Sequence, residues 1–414
     1  MNILFWIILI AIILEFIIDT ILTILNIRSI NTTPPNGLED IYDSQEYKKS
    51  QEYTLTRSKF SLVVNLTQII AMMIFWFSGG FNFVDQIIRT LEFNEIINGI
   101  LFIFILSGLS MLLSLPFDLY GTFVIEEKFG FNKMTLSTYI TDTIKSLILS
   151  IAIGTPLIAG ILFFFGYSGA FAWIYAWIFI IIISLIIQVI APIWIMPIFN
   201  KFTPLEDSEL RNLIIEYTKS VNFTFGNIFV IDGSKRSNHS NAFFTGFGKT
   251  KRIALFDTLI DQLNEQEIVS VIAHEVGHSK KKHIITSTIL SIINTGVMFF
   301  LLSLFIENSL LFEAFYMKEV SIYASIIFFG LLFTPINLIL SPVLQFISRK
   351  NEYQADKWSV ETTKDKNYLI SGLKKLAEKN LSNLSPHPLL VFFQYSHPPI
   401  IDRIKAINLL KEKQ

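Results

Sequence analysis

The sequence predicts a mainly α-helical protein: a bundle of seven membrane-crossing helices joined to a soluble block that contains a small β-sheet. Three observations carry this. Hydrophobic residues make up 52% of the 414 residues and charged residues only 16%, against about 25% charged in soluble domains. Seven apolar stretches are each long enough to cross a bilayer, which takes about 20 residues. Between the fifth and sixth lies a long polar block, residues 198–285, with both strand and helix patterns.

The spans are expected near 3–25, 60–80, 98–118, 143–165, 170–197, 286–306 and 320–347. A short GYSGA turn makes the fourth and fifth a tight hairpin. The first lacks a basic leader and a small-residue cleavage site, so it reads as a retained span. Glu15 and Asp19 stand four apart on one face of it, and ionisable groups in hydrocarbon are costly, so they are expected to face an aqueous interior. Gln188, Asn294 and Asn337 read as helix-to-helix hydrogen-bonding groups.

The cations orient the bundle. Assigning each Lys and Arg to a side puts 2 of 33 on one face and 31 of 33 on the other, and the short loops alone divide 2 against 8. The N-terminus is therefore expected outside, and both soluble blocks, 198–285 and 348–414, on the cytoplasmic side. The chain divides accordingly into 1–197 (spans one to five), 198–285, 286–347 (spans six and seven) and 348–414. Net charge is −1 and no basic stripe is present, which offers nucleic acid no footprint. There is no cysteine, so disulfides, thiolate metal sites and a thiol nucleophile are excluded.

Within the first soluble block, Thr203-Pro204 reads as the start of a helix running through LEDSELRNLIIEYTKSV. NIFVIDG reads as a strand, and SNAFFTGFGKTKRIALFDTLI as two strands around a Gly-Lys-Thr-Lys turn. Next comes Asn264–His283, NEQEIVSVIAHEVGHSKKKH. Asn264 followed by Glu267 is a capping-box signature, and Ile268, Val271, Ile272, Ala273 and Val276 recur at helical spacing. His274 and His278 then stack on one face, where two imidazoles can hold one zinc ion, with Glu275 beside the first to act on a water. With six histidines in the chain, a chance H-E-x-x-H is rare, on the order of one in a few hundred.

A catalytic zinc needs a third protein ligand, and without cysteine it is another His or a carboxylate. Just past the seventh span, Glu352 and Asp356 lie four apart in RKNEYQADKWSV. Alone they would read as solvated helix charges. On a second helix facing the first, Glu352 can complete a His2Glu set, and Asp356 can hold the other ring nitrogen of a ligand histidine.

The chain resembles the membrane-integral zinc metalloproteases of the type I CAAX prenyl protease family. The resemblance rests on LPFDLYGTFVIEEKFGFNKMT (115–135), PIFNKFTPLEDSELR (197–211), GSKRSNHSNAFFTGFGKTKRIALFDTLI (233–260), VIAHEVGHSKKKH (271–283), EYQADKWSV (352–360) and SHPPIIDRIKAI (396–407), in that order. It implies seven helices around a large water-filled chamber, with a cytoplasmic zincin-like (gluzincin) catalytic domain. It also implies one zinc ion on His274, His278 and Glu352, Glu275 as general base, and Asp356 behind a ligand histidine. Asn241, Ala242 and Phe243 would pair with an extended substrate, and His397 and Arg403 would lie near the scissile bond. The remaining histidines, His239, His283 and His387, read as surface groups or as groups behind a ligand.

The expected reaction is endoproteolysis near the C-terminus of a prenylated CAAX-type protein, in a bacterial inner membrane or the endoplasmic reticulum. The substrate would lie as an added strand along the Asn241–Gly246 edge. A quality-control protease acting on damaged membrane proteins is the alternative. A metal or solute transporter would place histidines inside the spans, and a structural zinc would have four protein ligands and no adjacent Glu275.

Overall fold

The computed structural model describes residues 1–31, 33–34, 44–245 and 251–410. Among the described residues six helices are long and apolar enough to cross a membrane: Ile3–Arg28, Gln45–Phe77, Glu95–Phe129, Leu136–Tyr167, Gly169–Phe199 and His283–Phe305. The seventh crossing is a pair, Ile322–Leu332 and Thr334–Thr363, bent by 55°. Pro335 sits one residue into the second segment, where it removes a helix hydrogen bond and crowds the turn before it. Past the bend, this last membrane-crossing helix runs without a break across residue 347 into the C-terminal block.

An aromatic core closes the end of the bundle that holds the chain start. Phe5, Trp76, Phe81, Phe102, Phe315 and Phe328 are buried there, with Phe315 and Phe328 stacked at 3.9 Å. The Trp76 indole N–H donates to the Ala314 carbonyl. Buried Asp85 accepts from Tyr323 Oη–H and from Arg89 Nε–H, so its charge is matched inside the closure.

Polar residues of the spans face cavities. Glu15, Asp19, Asn294 and Asn337 line one of about 560 Å³, and Gln394 Nε2–H donates to Asp19. Gln188 and Ser348 line a second, which opens onto the soluble block; Ser348 borders both.

The soluble block holds a four-stranded sheet in the order β1-β2-β4-β3: β1 Phe202–Pro204, β2 Asn227–Ile231, β3 Ala242–Thr245 and β4 Arg252–Phe256. β2 and β4 are parallel; β1 and β3 run antiparallel to their neighbours. Central β4 is fully covered at Ile253, Ala254 and Leu255, and packs on Ile268, Ile272 and Val276 of the helix Glu265–Lys280.

Two local expectations are corrected. Thr203-Pro204 is not a helix start but part of edge strand β1, where a proline is tolerated because one side of an edge strand lacks a partner. The helix begins at Glu209, capped by Ser208, whose hydroxyl accepts from Arg211 N–H. The tail of the predicted second strand, 257–260, lies instead in a short helix, Asp257–Gln262. Gly248, Lys249 and Thr250 of the Gly-Lys-Thr-Lys turn lie outside the described residues.

Candidate metal centre

The helix Glu265–Lys280 starts on a closed capping box: Asn264 accepts from Glu267 N–H, and Glu267 accepts from Asn264 N–H. Buried Glu267 also accepts from Lys375 Nζ at 2.8 Å and Ser371 Oγ at 2.5 Å, tying this helix to Lys366–Lys379. Burial opposes the Glu267 charge, but these donors outweigh it and hold the carboxyl below the usual range.

One turn apart, His274 and His278 bring their Nε2 atoms within 3.1 Å. The helix Thr334–Thr363 lies alongside and carries Glu352, with Oε2 3.4 Å from His274 Nε2 and Oε1 3.2 Å from His278 Nε2. The ligand atoms of the three residues all lie within 4.8 Å of one another. Glu352 is only 3% exposed, and its Oε2 completes no hydrogen bond among the described residues, with His274 Nε2 at 3.4 Å and Arg403 Nη1 at 3.7 Å. A buried carboxylate oxygen left in that state is costly unless a cation takes it. Two imidazoles and a carboxylate therefore fit a metal ion.

Each histidine is supported from behind. His274 Nδ1–H donates to Asp356 at 2.8 Å, and Asp356 accepts a bidentate fork from Arg403, 2.9 Å from Nε and 2.6 Å from Nη2. Burial alone would lower the His274 pKa, but the bonds to Asp356 and Glu352 prevail and raise it to about 9. The Arg403 fork is thus occupied by Asp356, with Nη1 3.7 Å from Glu352. His278 is backed by His283, with the two Nδ1 atoms 3.1 Å apart.

Glu275 projects into a cavity of about 780 Å³ that the ligands also line. Desolvation by the surrounding protein raises its carboxyl above the usual range. His397, in the loop before Ile400–Asn408, reaches the same cavity, its Nε2 3.4 Å from Glu352. Asn241 and Ala242 form another wall, at the start of edge strand β3, while Phe243 packs towards Phe256. β3 pairs with β4 on one side, so its other edge has no strand partner among the described residues. His239, just before it, stacks on Phe131 at 4.0 Å and bonds Asn380 through Nδ1. His387 caps the helix Pro388–Gln394.

Two residues escaped the reading of the sequence. Gly277, inside the motif, is where the two site helices touch, and Gln354, between Glu352 and Asp356, faces His283. The glycine carried a signal in its position between the ligands. Gln354 carried none.

Residues 204–411 match peptidase family M48, and residues 23–201 match the CAAX prenyl protease N-terminal region of five membrane helices. The chain belongs to peptidase family M48. Among its M48 relatives, CAAX prenyl protease 1 of Saccharomyces cerevisiae is 36% identical over 97% of this chain and 94% of its own length. The CAAX prenyl protease 1 homolog of Arabidopsis thaliana is 37% identical over 96% of this chain and 95% of its own. The crystal structure of S. mikatae Ste24p superposes with a TM-score of 0.93 at 35% identity, covering 99% of this chain and 100% of that one. This M48 protein is a multi-pass membrane metalloendopeptidase with a small mixed sheet in its catalytic block.

Proposed function

We propose that the protein holds one zinc ion on His274, His278 and Glu352 and cleaves peptide bonds near the C-terminus of prenylated CAAX-type proteins. The observation that carries the site is the meeting of three ligand atoms within 4.8 Å of one another in a cavity also lined by the start of β3, whose outer edge has no strand partner among the described residues. The substrate class rests on relatives that share at least 36% identity over nearly the whole chain and are named CAAX prenyl proteases. The excess of Lys and Arg on the side of the soluble blocks supports a cytosol-facing site.

Zinc, when bound, supplies Lewis acidity to a water and to the scissile carbonyl. Glu275 accepts the proton of the attacking water and delivers it to the leaving amine; its raised proton affinity suits both halves of that transfer. The β3 edge holds the peptide extended by backbone pairing, which is indifferent to side chains. His397 is exposed at the cavity and unencumbered by the Asp356 network, so it is the better placed of the two C-terminal candidates to donate towards the carbonyl oxygen. Arg403 acts through Asp356 on His274.

Purified enzyme is to be incubated with matched prenylated and unprenylated C-terminal peptides and with an unfolded membrane protein, each followed by mass. Preferential loss of three residues from the prenylated peptide is expected. Equal cleavage of all three substrates would replace maturation by quality control.

A further inference from the structure

The support behind His274 runs through the Asp356 carboxylate to Arg403, whereas that behind His278 runs through a second imidazole to an amide. His283 is buried, 6% exposed, although it follows the run Lys280, Lys281 and Lys282. Lys282 adopts a left-handed conformation, φ 60°, which turns the chain so that His283 opens the next helix directly behind the motif. Its Nδ1 lies 3.1 Å from His278 Nδ1 and its Nε2 3.1 Å from Gln354 Oε1. Gln354 stands on the helix Thr334–Thr363, two residues from Glu352.

We infer that Gln354 and His283 form a relay that fixes His278 in its metal-binding tautomer. An amide oxygen only accepts, so His283 carries its proton on Nε2. A neutral imidazole then presents a lone pair at Nδ1, and the facing Nδ1 of His278 must be the donor. That leaves the lone pair of His278 on Nε2, the atom that faces Glu352 and His274. Turning the Gln354 amide over reverses every step and puts a proton on His278 Nε2, where no metal could bind. One helix thus supplies both a ligand, Glu352, and the residue that sets the protonation of another ligand. Gln354 and His283 are positioning residues, and the inference rests on the metal reading above.

The test uses the full-length protein and measures zinc retained against graded chelator, by metal analysis. Gln354→Glu offers only acceptors, Gln354→Lys only donors, and Gln354→Met neither. Retention is expected to fall in the order Glu, Met, Lys, with Glu and Lys separated by about 10- to 100-fold in zinc affinity. His283→Phe is expected to lose as much as Gln354→Lys. A role in packing alone would not distinguish acceptor from donor at a half-buried position. Equal affinity for Gln354→Glu and Gln354→Lys, in a wild type that holds zinc, would overturn the relay and leave the metal centre standing. A wild type that holds no zinc would overturn both.

Discussion

Gly277 and Ala355 meet backbone to backbone: a β-carbon at residue 277 would stand 3.1 Å from the Ala355 Cα and 3.2 Å from its carbonyl oxygen. The absent side chain allows the last helix to lie close enough for Glu352 to reach the histidines, and Ser359 Oγ–H donating to the Ser270 carbonyl pins the contact further along. Gly277→Ala is therefore expected to push the helices apart, destabilise the protein by about 1–3 kcal/mol and weaken metal binding. Thermal unfolding and metal analysis check it; an alanine variant with wild-type metal content and stability would show that the contact yields without effect.

Glu275 and Glu352 should separate chemistry from metal holding. Glu275→Gln is expected to keep wild-type metal stoichiometry while peptide cleavage falls about 100- to 10,000-fold, the usual contribution of a positioned base. Glu352→Ala is expected to lose metal as well as activity. Side-by-side metal analysis and single-turnover cleavage decide: unchanged metal in Glu352→Ala would move the third ligand elsewhere.

Metal affinity should depend on pH through His274. Its pKa in the metal-free fold is raised to about 9, and a ligand imidazole must be neutral, so a bound metal displaces that proton. Affinity is expected to be complete above about pH 9 and to weaken about tenfold per unit as pH falls below it. Metal-free stability runs the other way. A histidine raised from 6.5 stabilises the fold fully below that value, and the contribution disappears as pH rises through about 9. Chelator competition and denaturant titrations at several pH values measure the two slopes, and a flat affinity between pH 6 and 8 would contradict the assignment (on the order of 100-fold is expected).

The chain has no cysteine, so a single introduced thiol reports one place. Ser208→Cys, on the exposed start of Glu209–Ser220, is expected to react with a membrane-impermeant reagent only from the cytosolic side. Losing the serine cap costs about 1 kcal/mol, small enough to leave the fold intact. Labelling from outside would invert the orientation.

Much of the site could be read from residue order because its signals are local. The His274–His278 spacing, the Asn264 and Glu267 cap and the Glu352–Asp356 pair each lie within one or two helical turns. Seven crossings were legible for a similar reason, since a bilayer demands unbroken apolar length. Thr203-Pro204 misled because a proline suits the first turn of a helix and an edge strand equally, and the choice depended on β2, which lies more than 20 residues further on.

What tertiary structure alone decided are relations between segments distant in the chain. The bend at Phe333–Thr334 directs the last helix, Gly277 admits it, and only then do Asp356 and Arg403 close on His274 while Gln354 and His283 close on His278. Ligand spacing is a property of one helix and is written in residue order. The partners that hold each imidazole in place come from three other helices packed against the motif helix, and no local pattern encodes where those helices meet.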